Sequence, residues 1–163
     1  MSLFGRASRL LFKGGIVTLQ FACFVHLFNQ HVAEFTFCVG PSMLPTFNLT
    51  GDIVLVEHIS QRFKPLRAGD VIVCMSPAVP GRAVLKRIIG MPGDNICIDP
   101  TVPDRKYFDV PRGHVWVGGD NLSNSTDSRS YGPVAMGLIR GKVLARAWPG
   151  FTFIRNGLTP IDD

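Results

Sequence analysis

The sequence has 163 residues, of which 46% are hydrophobic, with 17 Gly, 12 Pro and a formal net charge of +5. This length suffices for one sizeable core and does not require two full domains. The many helix breakers favour a turn-rich β domain over a helical bundle or a disordered chain. After Glu34 the basic residues are scattered, without a basic helix or interleaved aromatic residues, so we expect no nucleic-acid partner.

The N-terminal region differs from the rest in charge. It contains Arg6, Arg9 and Lys13, and no acidic residue precedes Glu34. If histidines are counted as neutral, residues 14–33 carry no charge. Twenty helical residues rise about 30 Å, which is just enough to cross a bilayer.

This pattern predicts a division of the chain into three parts. We expect a basic segment over residues 1–13, a transmembrane anchor over 14–33 and one folded domain over 34–163. The basic flank places the N-terminus on the cytoplasmic or matrix side and the folded domain across the membrane. A cleaved mitochondrial presequence and a buried core helix are the alternatives for the N-terminal region.

Short apolar runs separated by turn residues follow the N-terminal region. Four Gly-Asp pairs provide turn punctuation, at 51/52, 69/70, 93/94 and 119/120. Branched and aromatic residues predict strands at 53–57, 71–75, 84–89, 96–99, 115–117 and 139–148. The proline-rich stretches 76–81 and 100–111 are predicted to be loops or edge excursions of the sheet. The predicted fold class is therefore mainly β with one N-terminal helix.

The last predicted strand shows the alternation of a half-buried antiparallel strand. One face carries Ile139, Val143, Ala145 and Ala147, and the other carries basic residues, namely Arg140, Lys142 and Arg146. This pattern predicts a sheet with one face exposed to water.

The four cysteines do not indicate a metal site. They show no CxxC spacing and no histidine at ligand distance, and they are found at positions 23, 38, 74 and 97. Zinc binding and thioredoxin-like chemistry are therefore not favoured, and structural thiols are the simpler interpretation. A bridge between Cys74 and Cys97 stays open for an oxidising compartment.

A serine between two prolines is the first candidate for chemistry. Ser42 lies between Pro41 and Pro45, and each proline locks φ and removes a backbone donor. Such rigidity can orient a hydroxyl, although an ordinary Pro-Ser turn explains the same segment. The GxSxG pattern is absent, so an α/β-hydrolase nucleophile elbow is not implied.

Three residues are candidates for the base that this serine needs. His58 and His114 could act in a Ser-His-Asp triad. Lys86 is predicted to lie between Val84 and Ile88 on one face of a strand, where apolar neighbours disfavour a charged amine. A strand lysine whose amine extends to solvent is the alternative for this residue.

Several segments of the chain belong together as a set of motifs. The longer ones are GPSMLPT at 40–46, GDIV at 51–54, KRIIGMPGD at 86–94 and GDNLSNSTDSR at 119–129. The shorter ones are GHVW at 113–116, YGP at 131–133 and GLIRG at 137–141. In order and content these segments resemble the type I signal peptidases, most closely those members that act at the mitochondrial inner membrane. The resemblance covers nearly the whole chain and implies a Ser/Lys dyad enzyme on a coiled antiparallel β-sheet.

The resemblance also implies roles for individual residues. Ser42 falls on the family nucleophile and Lys86 on its general base. Ser125 matches the hydroxyl that orients the lysine. The remaining supporting positions are a bracing pair, Asp127 and Arg129, and the scaffold residue Asp120.

Substrate, partner and location are further implications of the resemblance. The substrate is a presequence-bearing precursor bound as an added strand, with Met43 and Leu85 contributing shallow pockets, or else packing in the core. The partner is a homologous second subunit in the same bilayer. The location is the mitochondrial inner membrane, crossed once, with the catalytic domain in the intermembrane space. The reaction needs no metal or cofactor.

One position departs from the family pattern. Some bacterial members bind the oxyanion with a hydroxyl two residues before the nucleophile, where this chain has Gly40. The Ser42 amide then contributes, Pro41 cannot, and the second donor is unassigned. A self-cleaving Ser/Lys regulator and a non-catalytic subunit of a membrane processing complex are the alternative functions.

Overall fold

The computed structural model describes residues 3–60 and 65–158, with side chains from Phe12 onward. A long helix, α1 (Leu3–His31), comes first, and a region dominated by β-strands follows. Most side chains of the predicted basic segment, residues 1–13, lie outside the described residues.

Helix α1 ends two residues before the predicted end of the anchor at residue 33, where the next element already begins. Its large apolar side chains are exposed, including Val17, Phe21 and Phe24, which are each more than 60% accessible. In the described part of the chain, no helix is at once long and apolar enough for a bilayer crossing.

Ten strands follow α1 in the described residues. They are β1 (Ala33–Cys38), β2 (Asp52–Glu57), β3 (Val71–Met75), β4 (Ala83–Gly90), β5 (Asn95–Cys97), β6 (Tyr107–Asp109), β7 (His114–Gly118), β8 (Val134–Ala135), β9 (Ile139–Trp148) and β10 (Thr152–Phe153). A short helix, α2, spans Ser128–Tyr131, and 3-10 turns span Pro41–Met43, Leu122–Asn124 and Met136–Leu138.

The mainly β fold is confirmed, as are all six predicted strands. Two of them, β3 and β9, have the predicted bounds, and the other four agree within two residues. Within residues 100–111, predicted as a loop or an edge excursion, Tyr107–Asp109 form β6, which pairs with β5 in a separate two-stranded sheet. The sequence patterns did not identify β1, β8 or β10.

Eight strands form one antiparallel sheet in the order β1-β2-β9-β3-β4-β7-β8, with β10 paired to β9. Strand β9 therefore lies between β2 and β3, which separates the sheet into a β1–β2 part and a β3–β4 part. Register shifts interrupt the β2–β9, β3–β9 and β4–β7 ladders. Such bulges bend and twist strands, which accounts for the curled shape of the sheet.

The sheet buries side chains on both faces. In β3, Val71 and Val73 pack into one cluster with Phe47, whereas Ile72 and Cys74 pack into another. A strand covered on both faces is expected to be continuously apolar rather than alternating. In β9 burial alternates as predicted from Ile139 to Ala145, with Arg140 exposed, but Ala147 is only partly buried. The burial of both faces at β3 differs from the predicted sheet with one face exposed to water.

All four cysteines are free thiols, so the bridge considered between Cys74 and Cys97 is not formed. Cys38 and Cys74 are buried, and burial raises the pKa of Cys74 to about 11, although the charge of Lys86 lowers it. A thiol with that pKa is almost fully protonated near neutral pH and therefore unreactive.

Phe47 is expected to stabilise both the core and the loop after residue 43. Its side chain is fully buried, and its amide donates to Met43 O at 3.0 Å. We expect Phe47→Ala to lower the free energy of unfolding by about 3–5 kcal/mol, because it leaves a cavity. Chemical denaturation followed by circular dichroism measures this change.

The matched control is Phe35→Ala, since Phe35 is 68% exposed. Its free energy of unfolding is expected to change by less than about 0.5 kcal/mol. Equal effects of the two substitutions would contradict the assignment of Phe47 to the core.

Candidate active site

Ser42 lies in the 3-10 turn Pro41–Met43, between β1 and β2. The turn is preceded by Gly40 at φ 127° and ψ 157°, a backbone conformation that glycine adopts without steric cost. Ser42 is half-buried, and its side chain lines a cleft. The local sequence thus places a hydroxyl on a rigid turn at the edge of a cavity.

Lys86 lies on β4, where it pairs with Ile72 of β3. Only 3% of its surface is accessible, and its Nζ donates to Ser125 Oγ at 2.9 Å. Val84 and Ile88, two residues away on either side, belong to the apolar cluster on that face of the sheet. The predicted apolar setting of Lys86 is confirmed.

Burial lowers the pKa of Lys86, because a charged amine loses its hydration there. The negative charge of Asp127 opposes this shift, and Cys74 acts in the same direction as Asp127. The positive charges of Arg129 and Arg82 lower the pKa further. The net effect increases the neutral fraction of the amine at any given pH.

Ser42 and Lys86 line the same cleft, which has a volume of about 370 Å³. Its walls also include β1 residues from Thr36 to Cys38, the loop before β4 and Thr126. A wider, open depression of about 680 Å³ beside Leu44 contains neither Ser42 nor Lys86. The chemistry-bearing residues therefore define the smaller cleft as the candidate site.

In the part of the chain that the structure describes, no hydrogen bond joins Ser42 Oγ to Lys86 Nζ. Catalytic hydrogen bonds are often long without substrate and tighten when substrate binds. The shared cleft and the Ser125 contact are consequently the geometric basis for pairing these two groups.

Asp127 and Arg129 brace the segment behind Lys86. Asp127 is fully buried and accepts hydrogen bonds from Arg129 Nε at 2.9 Å and from the Gly119 amide at 3.0 Å. Burial alone would raise the pKa of Asp127, but hydrogen bonding with Arg129, Ser125 and the Gly119 amide lowers it below its ordinary value. Asp127 therefore remains ionised, and Arg129 also donates to Leu122 O at 2.7 Å.

Asp120 lies outside the cleft lining and joins three parts of the fold. Its two carboxylate oxygens accept from Arg87 Nε and Arg87 Nη2, each at 2.7 Å, and Oδ2 also accepts from Thr46 Oγ1. Arg87 donates further to Gly69 O at 2.8 Å and to Arg155 O at 3.2 Å. This bidentate, buried pair links β4 to the loop after Ser42.

Met43 and Leu85 differ in how far they face the cleft. Both line it, but Met43 is 1% exposed and packs in the core with Phe47, whereas Leu85 is partly buried beside that cluster. Core packing accounts for most of the Met43 side chain, and Leu85 has more surface available to a ligand.

The two histidines considered as bases lie outside the cleft lining. His58 Nδ1 is 2.8 Å from Arg140 O, and its Nε2 is 3.8 Å from Glu34 Oε1. His114 Nδ1 is 3.1 Å from Arg112 O. The cleft is therefore lined by the lysine candidate rather than by either histidine. Among the described residues, no group of three or more His, Cys, Asp or Glu could hold a metal ion.

Three residues at the site were not identified by sequence patterns: Gly119, Asn121 and Arg82. A Cβ at position 119 would lie 2.4 Å from Ser42 O, so only glycine permits that approach. The amide of Asn121 donates to Ser42 O at 3.0 Å, and exposed Arg82 lines the cleft. Segment 119–129 of the family resemblance indicated the first two, but no sequence signal placed Arg82 at the cleft.

Comparison with known proteins assigns the chain to a family. The model of the family "Signal peptidase, peptidase S26" matches residues 12–102 and 98–148. The chain is 45% identical to mitochondrial inner membrane protease subunit 1 of Schizosaccharomyces pombe, over 93% of this chain and 97% of that protein.

Two further relatives extend this similarity. Mitochondrial ATP-independent inner membrane protease subunit 1a of Arabidopsis thaliana is 48% identical, over 85% of this chain and 84% of its own length. Mitochondrial inner membrane protease subunit 2 of Danio rerio is 37% identical, over 68% of this chain and 61% of its own length. With a curled antiparallel β-sheet and these matches, the chain belongs to the signal peptidase family, peptidase S26.

Proposed function

We propose that this peptidase is a serine endopeptidase in which Ser42 is the nucleophile and Lys86 the general base. The observation that carries the proposal is the buried Lys86 amine, held by Ser125 at 2.9 Å in the cleft that Ser42 also lines. A lysine buried in this way is costly for a purely structural role, since its charged form loses hydration. A neutral amine, in contrast, is suited to accept a proton.

The proposed reaction is acyl transfer in two steps. Neutral Lys86 takes the proton of Ser42, and Oγ attacks the scissile carbonyl carbon to form a tetrahedral intermediate. As the C–N bond breaks, Lys86 returns the proton to the leaving amine and an ester on Ser42 remains. Water, deprotonated by the same amine, then attacks the ester carbonyl carbon. As the C–O bond to Ser42 breaks, Lys86 returns this proton to Oγ, and the acid product and free Ser42 are released.

The oxyanion of the tetrahedral intermediate needs donors close to Ser42. The Ser42 amide is one donor, and Gly40 has no hydroxyl with which to supply another. The proposed mechanism therefore relies on backbone donation at this point.

We propose presequences of precursor proteins as the substrates. An extended peptide would lie in the cleft beside β1, where Thr36, Phe37 and Cys38 form one wall. Strand addition places alternate side chains of a peptide toward the protein, so residues near the cut would face Leu85 and Met43. These apolar contacts favour small or apolar side chains in the substrate.

The proposed location is the mitochondrial inner membrane, with α1 as a single anchor and the catalytic domain in the intermembrane space. Support comes from the names of the relatives, which are inner membrane proteases, and from the exposed apolar side chains of α1. We also propose a heterodimer with a homologous subunit, because relatives carry the names subunit 1 and subunit 2.

Replacement of either member of the dyad is expected to abolish cleavage without unfolding the protein. Ser42→Ala removes the nucleophile, and Lys86→Met removes the base while filling its space. The experiment incubates purified full-length variants with precursor proteins and identifies new N-termini by mass spectrometry. Cleavage at the wild-type rate by either variant would disprove the dyad.

The stability of Lys86→Met provides a second expected outcome. Because the folded-state pKa of Lys86 is lowered, the folded protein binds fewer protons than the unfolded chain between the two pKa values. The free energy of unfolding of the wild-type protein thus increases with pH between the two pKa values. Below the folded-state pKa, Lys86 is charged in both states, and the cost of burying its charge is present in full. Lys86→Met should therefore match or exceed wild type near pH 7, by up to about 2 kcal/mol. A large loss in chemical denaturation would indicate a structural lysine.

Arg82 is expected to shift the pH at which activity appears, as a minor contributor beside burial. Its positive charge lowers the pKa of Lys86, so Arg82→Gln should raise that pKa. The rising limb of the kcat–pH profile then moves to higher pH, whereas Arg82→Lys keeps the charge and the profile. Since Arg82 is exposed, the difference should diminish in high salt. A shift of Arg82→Gln toward lower pH, or no shift at low salt, would contradict this role.

The anchor and its orientation are tested in mitochondria that express the full chain. We expect the protein to stay in the membrane pellet after alkaline carbonate extraction. Added protease should digest the catalytic domain only after the outer membrane has been ruptured, while a soluble matrix protein stays protected. Recovery of the chain in the carbonate supernatant would contradict the anchor.

A further inference from the structure

Asn121 contacts the backbone on both sides of the nucleophile. Its main-chain N–H donates to Ser42 O at 3.0 Å, and its side-chain Nδ2 donates to Pro41 O at 3.1 Å. Within the turn, Pro41 O otherwise accepts only a long bond of 3.3 Å from the Leu44 amide. Asn121 therefore supplies contacts that the turn does not make by itself.

The orientation of the Asn121 amide group is determined by its partners. Pro41 O can only accept, so the atom facing it must be the NH₂ nitrogen. On the other side, Ser123 Oγ donates to Asn121 Oδ1 at 2.8 Å. The main chain of Asn121 also begins the next turn, since its carbonyl accepts from the Asn124 amide at 3.2 Å.

The two residues before Asn121, Gly119 and Asp120, hold it against the turn Pro41–Met43 that carries Ser42. Asp120 is bonded to Arg87 and to Thr46, which lies four residues beyond Ser42. Gly119 lies so close to Ser42 O that a Cβ there would be 2.4 Å away. The turn is thus held by Asn121, and the loop after it is held by Asp120 through Thr46.

Two held carbonyls determine the direction of the two peptide planes that flank Ser42. In a trans peptide the N–H points opposite to the C=O. With Pro41 O turned toward Asn121, the Ser42 N–H points away from Asn121. The Cα of Ser42 lies between the two planes, so their orientation also sets the origin and direction of the Cβ–Oγ bond.

We propose that Asn121 is a positioning residue, which aims the Ser42 hydroxyl at Lys86 by holding the carbonyls of Pro41 and Ser42. This inference rests on the proposed function, because it concerns the geometry of the proposed nucleophile. Asn121 touches neither reacting atom, and its effect passes through the backbone of the turn.

The test replaces the side-chain donor and separates kcat from KM. Asn121→Leu removes the amide at nearly constant size, and Asn121→Asp keeps the shape but replaces the donor by an acceptor. The matched control is Asn156→Leu, since the Asn156 side chain also donates to a backbone carbonyl, Ala68 O, at 3.0 Å and lies outside the cleft lining. All variants are full-length and are assayed with a precursor protein well below their melting temperatures.

We expect both Asn121 variants to lose about 10–100-fold in kcat, because a nucleophile displaced by about 1 Å reacts that much more slowly. The KM should stay within about twofold of wild type, and Asn156→Leu should keep wild-type kcat. For Asn121→Leu the pH midpoint of kcat should not move, since the charge around Lys86 is unchanged. A residue important only for folding would instead lower the melting temperature and leave kcat of the folded fraction intact.

A loss of less than fivefold in kcat for Asn121→Leu or Asn121→Asp would overturn the proposal. It would also be overturned if the loss appeared in KM, or if Asn121→Leu shifted the pH midpoint. Should Asn121→Leu unfold at the assay temperature, Asn121→Ser replaces it under the same criteria, because its hydroxyl is too short to reach Pro41 O. Ser42-independent or absent cleavage by the wild-type protein would defeat the proposed function itself, and this inference with it.

Discussion

The amine of Lys86 is removed from water and held by one neutral hydroxyl, that of Ser125, at 2.9 Å. An ammonium group in this position would have lost most of its hydration, so its apolar neighbours favour the neutral form. The carboxylate of Asp127 works in the opposite direction, and Arg129, which donates two side-chain hydrogen bonds to that carboxylate, offsets part of its effect. The remaining contacts of the site maintain these opposing effects on the pKa of Lys86.

Segment 119–129 maintains both halves of the proposed dyad. At one end, Asn121 and Asp120 hold the turn that carries Ser42 and the loop after it. At the other end, Ser125 contacts the Lys86 amine, while Asp127 is satisfied by Arg129 and by the amide of Gly119. Buried polar groups are stabilising only when they are paired, so one segment fixes the relative placement of nucleophile and base.

Some of this structure could be predicted from the sequence. Strands β3 and β9 had clear apolar patterns over five and ten residues, whereas β8 and β10 span two residues each, too few for a pattern to appear. The apolar neighbours of Lys86 follow from strand alternation. Its shared cleft with Ser42 does not, because Ser42 lies in the turn between β1 and β2 whereas Lys86 lies on β4, and only the family resemblance paired them.

The contacts of Asn121 could not be predicted from the sequence for a different reason. One of its two hydrogen bonds to the Ser42 turn comes from the main-chain N–H, which every non-proline residue possesses, so residue type carries no information about it. Arg82 reaches the cleft from a loop, and loop geometry is poorly determined by local sequence. The positions that sequence patterns missed are thus those whose role depends on backbone geometry or loop placement.

The position of β9 has a consequence for the order in which the sheet can form. The hairpin bearing Ser42 and the hairpin bearing Lys86 are joined in the sheet through β9, which follows both of them in the chain. Both hairpins therefore precede the strand that joins them, and the sheet closes only once residues 139–148 have been synthesised. Before that point, segment 119–129 can contact both parts, but no common ladder of backbone hydrogen bonds connects them.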